Sequence, residues 1–131
     1  MKIPWICFLH YKSQGYEHIY EPTVLFLHDI YQKYLLAESD ERVKYEPEAY
    51  DGTVTGIINS SNKTGIFVEL NDKYITGLMP MDSMDLLDYK PGDSVRVRIK
   101  EFEVQEGKDP FVYNKKGQLL KCNIRPVFEL A

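Results

Sequence analysis

The chain has 131 residues, of which 44% are hydrophobic and 27% charged, a composition typical of a globular domain rather than a disordered chain. Its 16 basic and 20 acidic residues give a formal net charge of −4, which argues against indiscriminate binding to nucleic acid. No apolar run approaches the roughly 20 residues that cross a bilayer, so we expect no membrane contact.

Residues 1–49 are predicted to form a strand and helix extension that ends in an acidic linker. The segment 3–11 is apolar, aromatic and of strand length, and 24–27 is a second short apolar run. Beyond it, apolar residues recur at the spacing of one helical face, and this helix is predicted to end near Ala37. A continuous helix over 23–37 is the alternative. The face predicted to be buried consists of Leu27, Ile30, Tyr31, Tyr34 and Leu35.

Residues 50–131 are predicted to form a barrel domain with a C-terminal hairpin. Three short apolar segments, 52–58, 65–70 and 74–79, precede a helical turn, and the strand 94–100 follows it. This layout is typical of an OB-fold, so we predict a mainly β protein in which a five-stranded OB-fold barrel carries a short α/β N-terminal extension. The residues expected in the barrel core are Val54, Ile58, Ile66, Val68, Leu70, Val95, Val97 and Ile99.

Two details of the later strands refine this prediction. The alternation of the strand 94–100 slips after Lys100, which indicates a bulge or bend of the kind that helps a small barrel close. The segment Lys115-Lys116-Gly117 has the chemistry of a hairpin turn. Because aromatic residues flank it, it could instead extend a binding groove.

Four short blocks of the barrel sequence, taken in chain order, resemble the ribosomal protein S-one RNA-binding domain. They are Gly52-x-Val54-x-Gly56-x-Ile58, Gly65-Ile66-Phe67-Val68-x-Leu70, Gly77-Leu78-Met79-Pro80, and a Pro91-Gly92 turn followed by Val95-x-Val97-x-Ile99. The match covers roughly residues 50–104. The resemblance implies a five-stranded barrel that binds single-stranded RNA on the face of its second and third strands.

The resemblance also implies roles for individual residues. Phe67 is the aromatic on which a base would stack, Glu103 is the acidic residue after the fourth strand, and Lys108 is the basic residue in the following loop. Thr64 and Pro80 stand where the family has an aromatic residue and a histidine. Part of the family's RNA-contacting chemistry is therefore absent from this chain.

Other candidates come from the residue pattern itself. Arg96 and Arg98, with Lys100, form a cationic stripe on one face of a strand and could contact phosphates, although a solvated outer face would have the same pattern. Tyr74 could share the face of Phe67, which could itself pack beneath the N-terminal extension instead. The predicted nucleic-acid-binding residues are Phe67, Tyr74, Lys63, Arg96, Arg98, Glu103 and Lys108.

The sequence predicts neither catalysis nor a metal or cofactor site. Cys7-x-x-His10 has the spacing of half a zinc site, but no second compact pair follows it. Cys122 is not expected to be a nucleophile, because the sequence contains no histidine after His28 that could activate it. The sequence also contains no phosphate-binding loop and no nucleophile elbow. No signal peptide is predicted, so we expect Cys7 and Cys122 to be reduced thiols in the cytoplasm or another reducing compartment.

The sequence therefore predicts an accessory module that binds nucleic acid, with single-stranded RNA as the expected partner, through the barrel face around Phe67. The alternative is a protein-interaction or structural module of a larger assembly, viral or organellar in origin, that keeps the barrel but has lost RNA binding. In either case the tyrosine-rich N-terminal part could cover a small core or present tyrosines to a protein partner.

Overall fold

The computed structural model describes residues 17–73, 75–113, 115–116 and 119–131, and for 17–24 and 119–122 it describes the backbone alone. The described chain forms two compact units. The first contains Pro47–Glu101 and Pro126–Ala131, and the second contains the described part of Trp5–Glu46 together with Phe102–Arg125. The predicted strand over 3–11 lies outside the described residues. Among those that are described, no helix is long and apolar enough to cross a membrane.

The second unit contains one long helix, α1 (Glu17–Ser39). The alternative prediction, a continuous helix over 23–37, is thus confirmed. The prediction of a separate strand over 24–27 is wrong, because the helical backbone begins well before it. Leu27 and Tyr31 are buried, as predicted. Leu35 is exposed instead, because at about 100° per residue it lies roughly 80° around the helix from Leu27, at the edge of the apolar stripe.

Seven strands follow the helix in the described part of the chain. They are β1 (Ala49–Asn59), β2 (Thr64–Leu70), β3 (Thr76–Pro80), β4 (Ser94–Val104), β5 (Phe111–Tyr113), β6 (Leu119–Cys122) and β7 (Ile124–Leu130), with a 3-10 helix (Asp85–Asp88) between β3 and β4.

The barrel closes through five of these strands, in the order β1-β2-β3-β7-β4, as predicted for an OB-like barrel. The pairs β1–β2, β2–β3 and β1–β4 are antiparallel, whereas β3 and β7 are parallel, with Leu78 opposite Val127. The backbone N–H of Ala131 donates to the carbonyl oxygen of Arg96 at 3.0 Å, which joins the end of β7 to β4. In β4 the burial alternation slips between Lys100 and Phe102, as predicted.

A β-bulge in β1 changes which residues face the barrel interior. Val54 pairs with Val68, but the next paired residue of β1 is Gly56, opposite Phe67, so Thr55 is an extra residue. Because successive side chains in a strand alternate between faces, one extra residue exchanges the faces of everything after it. Ile58 therefore lies on the outer face rather than in the predicted interior.

The rest of the barrel core follows the predicted alternation, with one exception. The exception is Val95, which is only half-buried, since it pairs with Gly52, which has no side chain to cover it. The predicted core residues that are buried are Val54, Ile66, Val68, Leu70, Val97 and Ile99, joined by Ile75, Met79, Leu86 and Phe128.

Gly77 lies where β3 and β7 close the barrel, and replacing it with alanine should destabilise the protein by about 1–3 kcal/mol. A Cβ atom there would collide with the carbonyl oxygen of Pro126 and come within 2.7 Å of the Phe128 ring. Urea denaturation checks this result, with Gly107→Asn as control. Gly107 has φ +74° and open space around it, and asparagine tolerates that conformation, so equal costs for both variants would contradict the close approach.

An aromatic cluster packs the second unit, in which β5 and β6 form an antiparallel hairpin with Lys115 and Lys116 in its turn. The hairpin interpretation of that segment is thus confirmed. Tyr31 meets Phe102 and Phe111 at ring-centroid distances of 5.2 and 5.6 Å, in edge or tilted geometries that favour aromatic pairs. The cluster consists of His28, Tyr31, Tyr34, Tyr45, Phe102, Phe111 and Tyr113.

Candidate functional site

Phe67, the residue predicted to stack on a base, lies on β2 with its side chain turned away from the barrel interior. Its neighbours Ile66 and Val68 pair with Met79 and Gly77 of β3, whereas Phe67 pairs with Leu78. The face of the strand was predicted correctly. However, the ring is only 3% exposed and packs with Leu78 and Ile58 in an apolar cluster outside the barrel core.

This burial bears on the expected role of Phe67. Base stacking requires an open aromatic face that a nucleobase can cover. A ring with almost no accessible surface offers no such face, so in this structure Phe67 stabilises the β2–β3 pair instead. Thr64 is opposite Asn59, and Pro80 is opposite Gly65. Because none of these four residues is aromatic, neither pair supplies an aromatic platform.

The predicted cations of β4 are exposed, as expected for the outer face of the barrel. Arg96 lies opposite Asp51 and forms an ion pair with it at 3.6 Å, but both side chains are largely exposed, so the pair adds little stability. Arg98 lies opposite Ala49 and has no ion-pair partner among the described residues. Lys100 is the third member of this exposed stripe.

The barrel does not bring these cations close to Phe67. Phe67 pairs with Gly56 of β1, whereas Arg96 pairs with Asp51, five residues earlier on the same strand. At 3.3–3.4 Å per residue, the two positions are separated by about 17 Å along β1. The aromatic and cationic halves of the predicted site are therefore far apart on the barrel surface.

The remaining predicted residues are Glu103, Lys108, Lys63 and Tyr74. Glu103 and Lys108 belong to the second unit, where the guanidinium of Arg125 donates to the Glu103 carboxylate at 2.8 Å. Because Arg125 is only 16% exposed, this ion pair is partly buried within the second unit. Lys63 is half-buried in the β1–β2 loop, where its backbone N–H donates to the Ser60 hydroxyl at 3.1 Å. Tyr74 lies outside the described residues.

A groove in the first unit was not predicted from the sequence. It has a volume of about 550 Å³ and lies between the end of β3, the 3-10 helix and the end of β7. Buried Met79 and Phe128 contribute apolar lining, together with the half-exposed Leu130. The charged residues that line it are Asp82, Asp85, Asp88, Glu129 and Lys100.

The period of the 3-10 helix explains how its side chains divide. With three residues per turn, positions three apart lie above one another. Asp85 and Asp88 therefore share one face of the helix, and with Asp82, which precedes the helix, they line the groove. Leu86, on a second face, is buried, while Met84 and Leu87 share the third and are 77% and 80% exposed. The period-three spacing of the aspartates is the sequence signal that could have indicated this groove.

Two further observations bear on the chemistry of the described residues. Among the side chains that the structure describes, no three histidine, cysteine or acidic groups lie together as metal ligands. The half-site residues Cys7 and His10 lie outside the described part of the chain. In the second unit, Nε2 of His28 lies 2.8 Å from the hydroxyl of Tyr113, a contact that joins α1 to β5.

Comparison with protein-family models, with curated proteins and with solved structures finds no match to this chain in any of the three.

Proposed function

We propose that this protein is a non-catalytic protein-interaction module that uses an OB-like barrel as its scaffold. The observation that carries this proposal is the burial of Phe67, which is 3% exposed. The resemblance to the S-one domain implies RNA binding through an aromatic residue at this position. With that ring covered and with Thr64 and Pro80 at two other contact positions, the barrel keeps its strands but has no open aromatic ring at any of these three positions.

The charge of the chain supports the same proposal. A formal charge of −4 repels a polyanion at long range, so RNA binding would require a concentrated cationic face. The stripe on β4 is a weak one, because Arg96 faces Asp51 and Lys100 lines a groove with four carboxylates. Arg98 is the member of that stripe that forms no ion pair with a carboxylate among the described residues.

Site-specific photo-crosslinking of the full chain in its own cell tests this proposal. We expect benzoylphenylalanine, placed in turn at Leu25, Met84 and Arg98, to give adducts that protease removes and ribonuclease leaves intact. All three positions are exposed, and they sample α1, the 3-10 helix region and the cationic strand. Adducts that ribonuclease degrades at these positions would contradict the proposal.

RNA binding through the exposed cations of β4 is the second candidate, favoured by the position of Arg98. We expect titration of labelled single-stranded RNA at two salt concentrations to show no saturation below about 100 µM protein, the weak end of non-specific binding. The opposite outcome is tighter binding that weakens with salt. In that case replacing both Arg96 and Arg98 with alanine should reduce the salt slope by up to about two units.

A further inference from the structure

We propose that the groove beside the 3-10 helix docks a basic segment of a partner protein, anchored by an apolar side chain of that segment. This inference rests on the proposed interaction function and adds the site and the chemistry of the partner. The site consists of the groove lined by Asp82, Asp85, Asp88, Glu129 and the half-exposed Leu130, while Met84 and Leu87 are exposed on another face of the neighbouring 3-10 turn. We call it the acidic groove.

The charge of the acidic groove specifies a cationic occupant. Four carboxylates line it against the single ammonium of Lys100, and none of these five groups forms an ion pair within the described structure. Like charges held on one face of a short helix repel one another. A partner that carries lysine or arginine side chains would relieve that repulsion and be guided to the groove by the field of the carboxylates.

The exposed apolar side chains specify the anchor. Met84 and Leu87 are the two most exposed large apolar residues of the described chain, at 77% and 80%, and Leu130 at 56% lines the groove itself. Leu130 therefore offers an apolar contact inside the groove, and Met84 and Leu87 add exposed apolar side chains on another face of the adjacent turn. A methionine can adapt its shape to the side chain of a partner, which suits it to an interface.

Other occupants fit the acidic groove less well. A nucleic acid would bring its phosphates against four carboxylates, which is electrostatically unfavourable. A second copy of this chain has a net charge of −4 and would present an equally acidic groove across a symmetric interface. A basic peptide segment satisfies both the charge and the apolar contacts.

Fluorescence anisotropy with a labelled synthetic peptide that alternates arginine and leucine tests the inference on the full chain. We expect binding that weakens as salt is raised, because exposed charges are screened by ions. Exchanging arginine for glutamate in the peptide should abolish binding, and exchanging leucine for serine should weaken it. A glutamate peptide that binds equally well would reduce the effect to non-specific apolar contact and overturn the inference.

Two matched variants locate the site. The triple substitution Asp82→Asn, Asp85→Asn and Asp88→Asn should weaken peptide binding about tenfold to a hundredfold, at the usual strength of surface ion pairs. The control triple, Glu69→Gln, Asp72→Asn and Glu101→Gln, removes the same charge from exposed positions outside the groove. Equal binding by the two variants would overturn the inference, because net charge alone would then explain it.

NMR amide shifts of the full chain identify the occupant directly. We expect the peptide to move the signals of 82–88, Lys100 and 128–130, and dilution or single-stranded RNA to leave them unchanged. Shifts of these signals by RNA or by dilution would reassign the groove to nucleic acid or to a second copy. Protein adducts at Leu25 or Arg98, with none at Met84 and no peptide binding, would overturn this inference while leaving the proposed function intact.

Discussion

Replacing Val97 with aspartate is expected to leave the barrel unfolded at room temperature. Val97 is fully buried in β4, with its side chain in the barrel interior. A carboxylate there loses its hydration without gaining a partner, which costs several kcal/mol in addition to the lost apolar burial. Small domains have only about 5–15 kcal/mol of total stability, so the substitution removes most or all of it.

The neighbouring residue provides a control in which the same side chain is introduced on the opposite face. Arg98→Asp places the same carboxylate one position later, where the native side chain is exposed, and should change the free energy of unfolding by less than about 1 kcal/mol. Far-UV circular dichroism and urea denaturation of the two variants measure the difference. A folded Val97→Asp variant with near-native stability would contradict the assignment of Val97 to the interior.

The strands of the barrel could be predicted because their signal is local. In the segment 94–100, apolar and polar residues alternate at every position, and a period of two has only one structural meaning at that length. In the same way, the predicted strand 65–70 differs from β2 by only one residue, at its start. The parallel pairing of β3 with β7 is not local, since it joins residues about fifty positions apart, and the sequence did not predict it.

The burial of Phe67 could not be predicted from the alternation of β2. That alternation correctly places the ring outside the barrel interior, but it says nothing about what else packs on the outer face. Part of the answer is the bulge at Val54/Gly56, which turns Ile58 onto the face of Phe67. A single extra residue in a strand leaves no clear mark on composition or spacing, so the altered face was missed.

The acidic groove was missed for a different reason. Asp82 or Ser83 was predicted to cap a short helical turn holding Met84, Leu86 and Leu87, all of which have apolar side chains that a core could have buried. The structure instead buries Leu86 and exposes the other two. Which face of a short 3-10 helix meets the barrel depends on the entry angle of the chain, and the sequence does not give that angle.

The tyrosine-rich part of the chain illustrates the same limit on a larger scale. Its helical stripe was predicted, but its partners in the second unit, Phe102 and Phe111, lie some seventy to eighty positions later in the sequence. Sequence spacing indicates that a face is apolar without indicating what covers it. Of the two roles considered for these tyrosines, the packing role is the one seen for Tyr31, Tyr34 and Tyr45.

Tyr31→Ala is therefore expected to cost about 3–5 kcal/mol, as is usual when a large buried aromatic side chain is removed. Tyr31 is 7% exposed and contacts three other rings, those of Tyr34, Phe102 and Phe111. Its burial raises the pKa of the phenol above its ordinary value, so at neutral pH the side chain lost is an uncharged one. Truncation leaves a cavity that the remaining rings only partly fill.

Leu35→Ala supplies the control, because it lies one turn later on the same helix and is 40% exposed. Its substitution should cost less than about 1 kcal/mol, since little buried surface is lost and alanine is the best helix former. The free energy of unfolding in urea and the near-UV circular dichroism of the aromatic cluster measure both variants. If Tyr31→Ala cost no more than Leu35→Ala, the cluster would contribute little to the stability of the second unit, and its tyrosines would be better explained as contacts for a partner protein.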